Sequence, residues 1–161
     1  MPGPARACAR SSTCSYWLER DACVAAGITL VDFQVRSRAA PDKSEVLGAR
    51  RLFDEVAYPM VMHCKSGADR AGLMSTLYMH FREGLPIEEA RRQLSLKFGH
   101  IRLADTGILD HFFETYLAFA ARQPISFLDW VEHHYDPDEL KRTFKSRRWA
   151  RFLTDRILRR E

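Results

Sequence analysis

The sequence predicts an α/β fold in which helices flank a small sheet and the C-terminal half is helical. Two runs rich in β-branched and apolar residues alternate with helical patterns before residue 84, and only helical patterns follow. The chain has 161 residues, of which 46% are hydrophobic and 29% charged, so it can bury one core. With only 8 Gly and 7 Pro, this composition excludes collagen-like, low-complexity and wholly disordered proteins.

The first quarter of the chain predicts an arm, a helix and a strand in that order. Residues 1–14 mix Pro, Gly, Ala, Arg, Ser and Thr without periodicity, which predicts a disordered arm. Apolar residues at helical spacing predict a helix over residues 15–26, with Gly27 as its C-terminal stop. Residues 28–35 predict a strand, and residues 36–41 predict a loop that leaves its end.

A second helix and a second strand follow, and helices fill the rest of the chain. Asp42 and Glu45 have the spacing of a capping box, for a helix that continues to Val56. The apolar segment 58–63 predicts a strand that leads into a polar loop, and residues 71–82 predict the next helix. Further helices are expected at residues 87–97, 107–121, 127–134 and from 138 to the C-terminus, with a break near Ser146.

The sheet predicted in this way has only two clear strands, at residues 28–35 and 58–63. Two strands rarely form an independently stable sheet, because they bury too little apolar surface on their own. The sequence therefore leaves two explanations open. Either weak strands escape the pattern, or the chain lacks part of its fold.

The basic charge of the chain is concentrated at its C-terminus. Residues 141–161 carry nine Lys and Arg against two acidic side chains, a net charge of +7, whereas the other residues sum to −3. The total of +4 is therefore poor evidence for nucleic acid, and no nucleic-acid partner is expected. An amphipathic helix with solvent-facing arginines explains the tail more simply than an RNA-binding surface.

Segment hydropathy and cysteine spacing indicate the compartment. No apolar run reaches the roughly 18 residues that span a bilayer, and residues 1–14 lack the apolar core of a signal peptide. We therefore expect a cytoplasmic protein without a stable membrane anchor. The four cysteines show no Cys-x2-Cys pair and no zinc-like spacing with His, so we expect reduced thiols and no metal. The oligomeric state is not indicated.

The loop at residues 64–70, which we call the signature loop, carries the chemistry. Cys64 and Arg70 are separated by five residues, a spacing that Cys14 and Arg20 also have, so context must distinguish them. Only the first pair has an apolar strand before it, a glycine for a tight turn and a helix after it. Such a turn directs backbone N–H groups at an anion, which lowers the pKa of a thiol, and arginine can bind two phosphate oxygens at once.

Residues 63–81 carry a resemblance to a known family. The sequence HCKSGADR, followed by AGLMSTLYMHF, resembles the signature loop of the cysteine-based protein tyrosine and dual-specificity phosphatases, most of all their compact dual-specificity members. The likeness extends more weakly from Ser15 to Tyr116. It implies a phosphatase-like domain over residues 15–135, with residues 136–161 as a basic helical extension packed on the same domain. Members of the family have more chain ahead of this region, which leaves open a truncated start and missing N-terminal strands.

The resemblance implies a phosphoric monoester hydrolase that needs no cofactor. Cys64 would attack phosphorus to form a phosphocysteine, which water then hydrolyses, while Arg70 holds the phosphate oxygens. His63 would orient the loop by hydrogen bonding. The remaining loop positions would bind the substrate phosphate, namely Lys65, Ser66, Gly67 and Ala68. The expected substrates are phosphotyrosine or phosphoserine/threonine proteins, or a small phosphorylated molecule.

The general acid is the point at which this sequence departs from the family. An aspartic acid on a separate loop before the signature is usual, whereas residues 36–41 here read RSRAAP. Asp69 ranks first, because myotubularin-type lipid phosphatases place an aspartate at that position of the loop. Asp42 ranks second and Asp32 third. A further departure is Ala71, where the family has Ser or Thr, so hydrolysis of the intermediate is expected to be slow.

Three rival functions remain open on the sequence alone. A phosphoinositide or inositol polyphosphate phosphatase would use Lys65, Arg36 and Arg38 for additional phosphates. A catalytically impaired phosphate-binding module would be consistent with Ala71 and with the missing acid loop. Sulfur transfer also uses a cysteine in an anion cradle, but Asp69 and Arg70 favour phosphate.

Overall fold

The computed structural model describes residues 5–8, 14–36 and 38–158, with side chains described from residue 15 to residue 147 apart from residue 37. The described chain is mixed and mainly helical, with few strands. No helix among the described residues is both long enough and apolar enough to cross a membrane. Cys23 and Cys64 are both buried.

Three parallel strands place the signature loop. They are β1 (Ala5–Cys8), β2 (Thr29–Asp32) and β3 (Met60–His63), and β1 lies between the other two. The register aligns Cys8 with Asp32 on one side and with His63 on the other. Because the strands are parallel, their carboxyl ends meet at one edge of the sheet, and Cys64 follows directly at that edge.

The central position of β1 corrects the prediction for residues 1–14. We expected a disordered arm there, yet Ala5–Cys8 pair along both edges. The segment ARAC has no β-branched or aromatic residue, so its pairing follows from the strands on either side rather than from its own propensity. It is the third strand that the sequence pattern did not reveal. The rest of the expected arm, residues 1–4 and 9–13, lies outside the described residues.

Three helices of the first half surround this sheet edge. They are α1 (Cys14–Ala25), α2 (Lys43–Glu55) and α3 (Asp69–Phe81). The predicted capping box of α2 is confirmed, and the Asp42 N–H donates to Glu45 Oε2 over 2.7 Å. Helix α3 begins two residues earlier than the sequence predicted. Asp69 and Arg70 therefore lie in its first turn.

The second half contains α4 (Ile87–Ala90), α5 (Ile108–Ala120), α6 (Phe127–His133) and α7 (Pro137–Leu158). The predicted helix over residues 87–97 is wrong after Ala90, where short 3₁₀ turns take over. Tertiary packing explains the change, because Leu94 is buried so closely on α3 that a Cβ at Gly72 would lie 2.9 Å from Leu94 Cδ2. The expected break near Ser146 is also wrong. Ser146 Oγ donates to Arg142 O over 3.2 Å, which satisfies the hydroxyl within the helix.

A core rich in aromatic residues holds these helices together. Its largest fully buried side chains come from α2, α3, α5 and α6, and include Phe53, Leu77, Phe112 and Trp130. The Tyr135 hydroxyl donates to the Pro41 carbonyl over 2.7 Å, across 94 positions of sequence. This bond ties the chain after α6 to the start of α2. The core therefore fixes the helix N-termini that face the sheet edge.

Candidate active site

The signature loop turns sharply between β3 and α3. Gly67 has a φ of +69°, in the left-handed region that favours glycine, and its N–H donates to the Cys64 carbonyl over 3.3 Å. Ala68 is the N-cap of α3. This backbone path brings the N-terminus of α3 back toward the cysteine, so the amide groups of the turn and of the first helical turn converge on one sulfur atom.

Cys64 is buried at the centre of this turn, and two opposing effects act on its thiol. Burial raises the pKa, because it disfavours the charged thiolate. Hydrogen bonds from the backbone N–H groups of Ala71, Ser66 and Gly67 lower it, and so does the nearby charge of Arg70. The lowering prevails, and the pKa of Cys64 lies below its ordinary value. The sulfur therefore occupies an anion site in which a nucleophilic thiolate is favoured.

Arg70 is half-buried behind the loop. With Phe33, Val35, Met62 and Met74 it lines a small, largely apolar cavity. Among the described residues no carboxylate forms an ion pair with Arg70, whereas Arg36, Arg50 and Arg102 each have an acidic partner. A guanidinium that is half-buried and without a carboxylate partner can bind an anion bidentately, which is the role the sequence predicts for it.

His63 is anchored outside the loop rather than within it. Its Nε2 atom lies 2.6 Å from Oε1 of Glu19 on α1. The pair ties the end of β3, immediately before Cys64, to the first helix. Glu19 is a contact that the sequence did not indicate, because nothing in the α1 pattern relates it to a histidine 44 positions later. The expected hydrogen bond from His63 to the loop itself stays a prediction.

Asp69 is hydrogen-bonded to a buried histidine. His100 Nδ1–H donates to Asp69 Oδ1 over 2.7 Å, and His100 Nε2–H donates to Asp110 Oδ2 over 2.6 Å. The hydrogen bond to Asp110 raises the pKa of His100, burial opposes it, and the hydrogen bond to Asp69 adds to the rise, so the pKa lies above its ordinary value. The two carboxylates thus favour the charged form of the imidazole.

Sequence reasoning missed His100 and Asp110. His100 follows Gly99, which has a φ of +78°, and its N–H donates to the Ser95 carbonyl over 3.1 Å. Asp110 lies in the first turn of α5. Neither residue has a diagnostic spacing to Cys64. Only the folding of this turn against α3 brings His100 to the signature loop. No local sequence pattern predicts this contact.

The two alternative acids have other partners. Asp42 is the N-cap of α2 and forms an ion pair with Arg36. Asp32 is exposed at the end of β2 and accepts a hydrogen bond from the Tyr16 hydroxyl over 2.6 Å. Within the part of the chain that the structure describes, neither carboxylate is hydrogen-bonded to the signature loop. Asp69 is the one of the three candidates that belongs to the loop.

The other expected binding residues differ in their availability. Lys65, Ser66 and Gly67 are exposed at the surface of the loop, whereas Ala68 is buried. Arg36 is engaged by Asp42 and by Glu45, so its charge is compensated, and Arg38 is exposed. Arg102 is paired with Glu114.

Comparison with known proteins finds solved structures of similar fold. No protein-family model matches the chain, and no curated protein matches it either. The fold is similar to the crystal structure of a mutant form of Tk-PTP, with a TM-score of 0.49 and 18% sequence identity. The match covers 73% of this chain and 81% of that chain.

Proposed function

We propose that this protein is a phosphoric monoester hydrolase that acts through a phosphocysteine intermediate. The observation that carries the proposal is the environment of Cys64, whose sulfur accepts three backbone N–H bonds beside Arg70 and whose pKa is lowered. Cradles of this kind bind tetrahedral oxyanions, because several donors and a helix N-terminus converge on one point. The chemistry requires only groups of the chain itself.

The first step exchanges one bond to phosphorus for another. The Cys64 thiolate attacks phosphorus, the Sγ–P bond forms, and the bond from phosphorus to the leaving-group oxygen breaks. Arg70 and the amide groups of the loop bind the equatorial oxygens as negative charge spreads over them. In the second step water attacks phosphorus and the Sγ–P bond breaks, which releases inorganic phosphate and restores the thiolate.

The leaving-group oxygen must acquire a proton, and Asp69 is our first candidate for its source. Its hydrogen bond to the His100 imidazolium links the carboxyl group to a buried proton donor. In this scheme the His100 Nδ1 proton moves to Asp69 as Asp69 delivers a proton to the departing oxygen, which leaves neutral His100 beside the Asp69 carboxylate. The attacking water returns a proton to this pair in the second step. Asp69→Asn should therefore slow hydrolysis of phenyl phosphate far more than hydrolysis of an activated nitrophenyl ester. Equal slowing of both would exclude Asp69 as the acid.

Turnover of an aryl phosphate tests the activity itself. The wild-type protein should release phosphate from p-nitrophenyl phosphate, vanadate should inhibit it, and Cys64→Ser should abolish it. Arg70→Lys keeps the positive charge but loses the planar fork, and we expect about a hundredfold lower kcat/KM from that change. Cys23→Ser is the matched control, because it replaces another buried cysteine that lies outside the signature loop. No phosphate release above the level of Cys64→Ser would refute the enzyme and leave a phosphate-binding module.

The substrate class that we place first is a phosphotyrosine or phosphoserine/threonine protein. A phosphoinositide or inositol polyphosphate comes second, favoured by the exposed Lys65 in the loop and by Arg38 after β2, whose carboxyl end meets the same sheet edge. Phosphate release from a phosphotyrosine peptide, a phosphoserine peptide and a soluble inositol polyphosphate, compared at equal concentration, separates these classes. Lys65→Ala should lower kcat/KM most for the substrate with several phosphates.

A further inference from the structure

One turn of the helical half exposes an unusual amount of apolar surface. Leu96 and Leu103 are 77% and 78% exposed, and Phe98 and Ile101 are exposed as well. Single exposed apolar side chains are common and need no explanation, but four within eight residues form a patch. The same residues border an open groove of about 920 Å³. We call this patch the 96–103 surface.

Positive charge is interleaved with these apolar side chains. Residues 96–98 read Leu-Lys-Phe and residues 101–103 read Ile-Arg-Leu, so each cation stands between two apolar neighbours. Arg91 and Arg92 border the same groove, whose acidic residues are Glu88 and Asp110, and His100 already engages Asp110. The patch therefore combines exposed apolar surface with an excess of cations.

The positive charge continues onto the neighbouring helices. Glu114 on α5 is the partner of three arginines, namely Arg91, Arg102 and Arg147 of α7. One carboxylate cannot neutralise three guanidinium groups, so this side of the molecule keeps a surplus of positive charge. Of these three, Arg147 is itself on α7, whose exposed Arg142 is paired with Glu139 and adds nothing to the surplus.

We propose that the 96–103 surface binds the interface of an anionic lipid bilayer. Apolar side chains can enter the acyl boundary of a bilayer while lysine and arginine beside them contact the anionic headgroups. A second copy of this chain is a poorer occupant, because a two-fold contact would place like charges against one another. The bilayer offers the complementary charge and the apolar layer together.

The proposal is independent of turnover, but the surface lies beside the signature loop. A Cβ at Gly99 would lie 3.5 Å from the Ala68 Cβ, and His100 is bonded to Asp69. Docking at this surface would thus bring Cys64 close to the headgroups. It also agrees with the absence of a membrane-spanning helix from the described residues, since an interfacial contact needs none.

Vesicle sedimentation tests the proposal. The wild-type protein should bind vesicles of equal parts phosphatidylglycerol and phosphatidylcholine more tightly than vesicles of phosphatidylcholine alone, and salt should weaken the binding. In Leu96→Ser/Leu103→Ser the partition coefficient should fall by at least about tenfold, because two exposed leucines lose their insertion into the bilayer. Lys97→Gln should lower it about fivefold through the loss of one headgroup contact.

The matched control is Leu18→Ser/Val24→Ser on α1, where the exposed fractions are 71% and 75%. This variant removes a similar apolar area elsewhere and should bind the anionic vesicles as the wild type does. Equal binding by Leu96→Ser/Leu103→Ser and by the wild type would overturn the proposal. Equal binding of the wild type to both kinds of vesicle would also overturn it. So would a concentration-dependent dimer of the wild type that is lost in Leu96→Ser/Leu103→Ser.

The turnover of soluble p-nitrophenyl phosphate separates this proposal from the proposed function. Leu96→Ser/Leu103→Ser should keep the wild-type kcat/KM on that substrate, because neither leucine belongs to the signature loop or to its proton donor. Loss of vesicle binding with full turnover supports the bilayer contact. If the wild type has no turnover but still binds the anionic vesicles, the phosphatase proposal fails and the bilayer contact stands.

Discussion

Burial of the Cys64 sulfur raises the pKa of its thiol, whereas three backbone N–H groups and the Arg70 charge lower it, and the lowering prevails. The backbone donors contribute more than the arginine does. Side-chain substitutions in the loop leave these backbone donors in place, so they should change the pKa of Cys64 only in part. The acidity of the cysteine thus depends mainly on the path of the chain.

Alkylation of Cys64 by iodoacetamide should follow the fraction of thiolate. Because the pKa is lowered, the reaction rate should reach half of its maximum at a lower pH in the folded protein than in urea, where the thiol has its ordinary pKa. In Arg70→Gln the midpoint should rise, but it should stay below the value found in urea, where the backbone donors are lost too. Subtracting the Cys64→Ser rate removes labelling of other cysteines. A wild-type midpoint at or above the urea value would contradict the cradle.

His100 gives a stability that depends on pH. Its pKa is raised in the folded protein, so the stabilisation is complete below about pH 6.5 and is lost as the pH rises through the raised value. His100→Gln should lower the free energy of unfolding by about 2 kcal/mol at pH 6 and by less at pH 9. Urea unfolding at both pH values measures this, with the exposed His133→Gln as the control. An equal loss at both pH values would show that His100 is not a cation in the fold.

The residues of the signature loop could be predicted from the sequence, whereas their partners could not. Cys64 and Arg70 are recognisable because the strand, the glycine and the helix around them are local features. His100 reaches the loop, and Glu19 reaches His63 just before it, through tertiary packing. A single histidine in a turn has no periodicity or spacing that reveals what it will contact.

Helix boundaries are predicted correctly where local residues determine them and wrongly where distant packing does. Helix α2 begins where its capping box predicts, since the cap is a local arrangement of Asp42 and Glu45. The predicted helix over residues 87–97 fails because Leu94 packs into the space that Gly72 leaves on α3. Burial of one leucine against a distant helix overrides a helical pattern, and a single sequence does not show which residue will be its neighbour.

Substitution of the cap residue distinguishes the structural role of Asp42 from a catalytic one. Asp42→Ala should lower the free energy of unfolding by about 1 kcal/mol, because the exposed N–H groups of α2 lose their acceptor. The kcat on phenyl phosphate should stay within about twofold of the wild type, as Asp42 is occupied by the cap and by Arg36. Asp42→Asn, a good cap without an acidic proton, is the control. A large loss of kcat in both variants would assign the general acid to Asp42.

At the scale of the whole molecule, β1 joins two strands that have no other connection within the sheet. It pairs with β2 and with β3, and these two do not pair with each other among the described residues. The sequence predicted both outer strands but not the central one, because the outer runs are rich in β-branched and apolar residues and ARAC is not. Integrity of the sheet therefore depends on its least recognisable strand.

A proline in β1 tests this dependence. Ala7→Pro removes a backbone N–H from the central strand and should destabilise the protein by about 3 kcal/mol or more. Ala7→Gly keeps the N–H, and its effect should be about 1 kcal/mol. Thermal unfolding followed by circular dichroism compares the two variants. Similar melting temperatures would argue against β1 as the central strand.

The pairing of β1 with β3 also sets an order of events in folding. Ala5 and Met60 are partners although roughly 55 residues separate them, so this contact closes late relative to local helix formation. Helices α1 and α2 can form while β1 still lacks its second neighbour. Since Cys64 follows β3 directly, the closure that completes the sheet also fixes the start of the signature loop. A lowered pKa of the Cys64 thiol is therefore a marker of the completed topology. In partly folded chains the pKa of Cys64 should have its ordinary value.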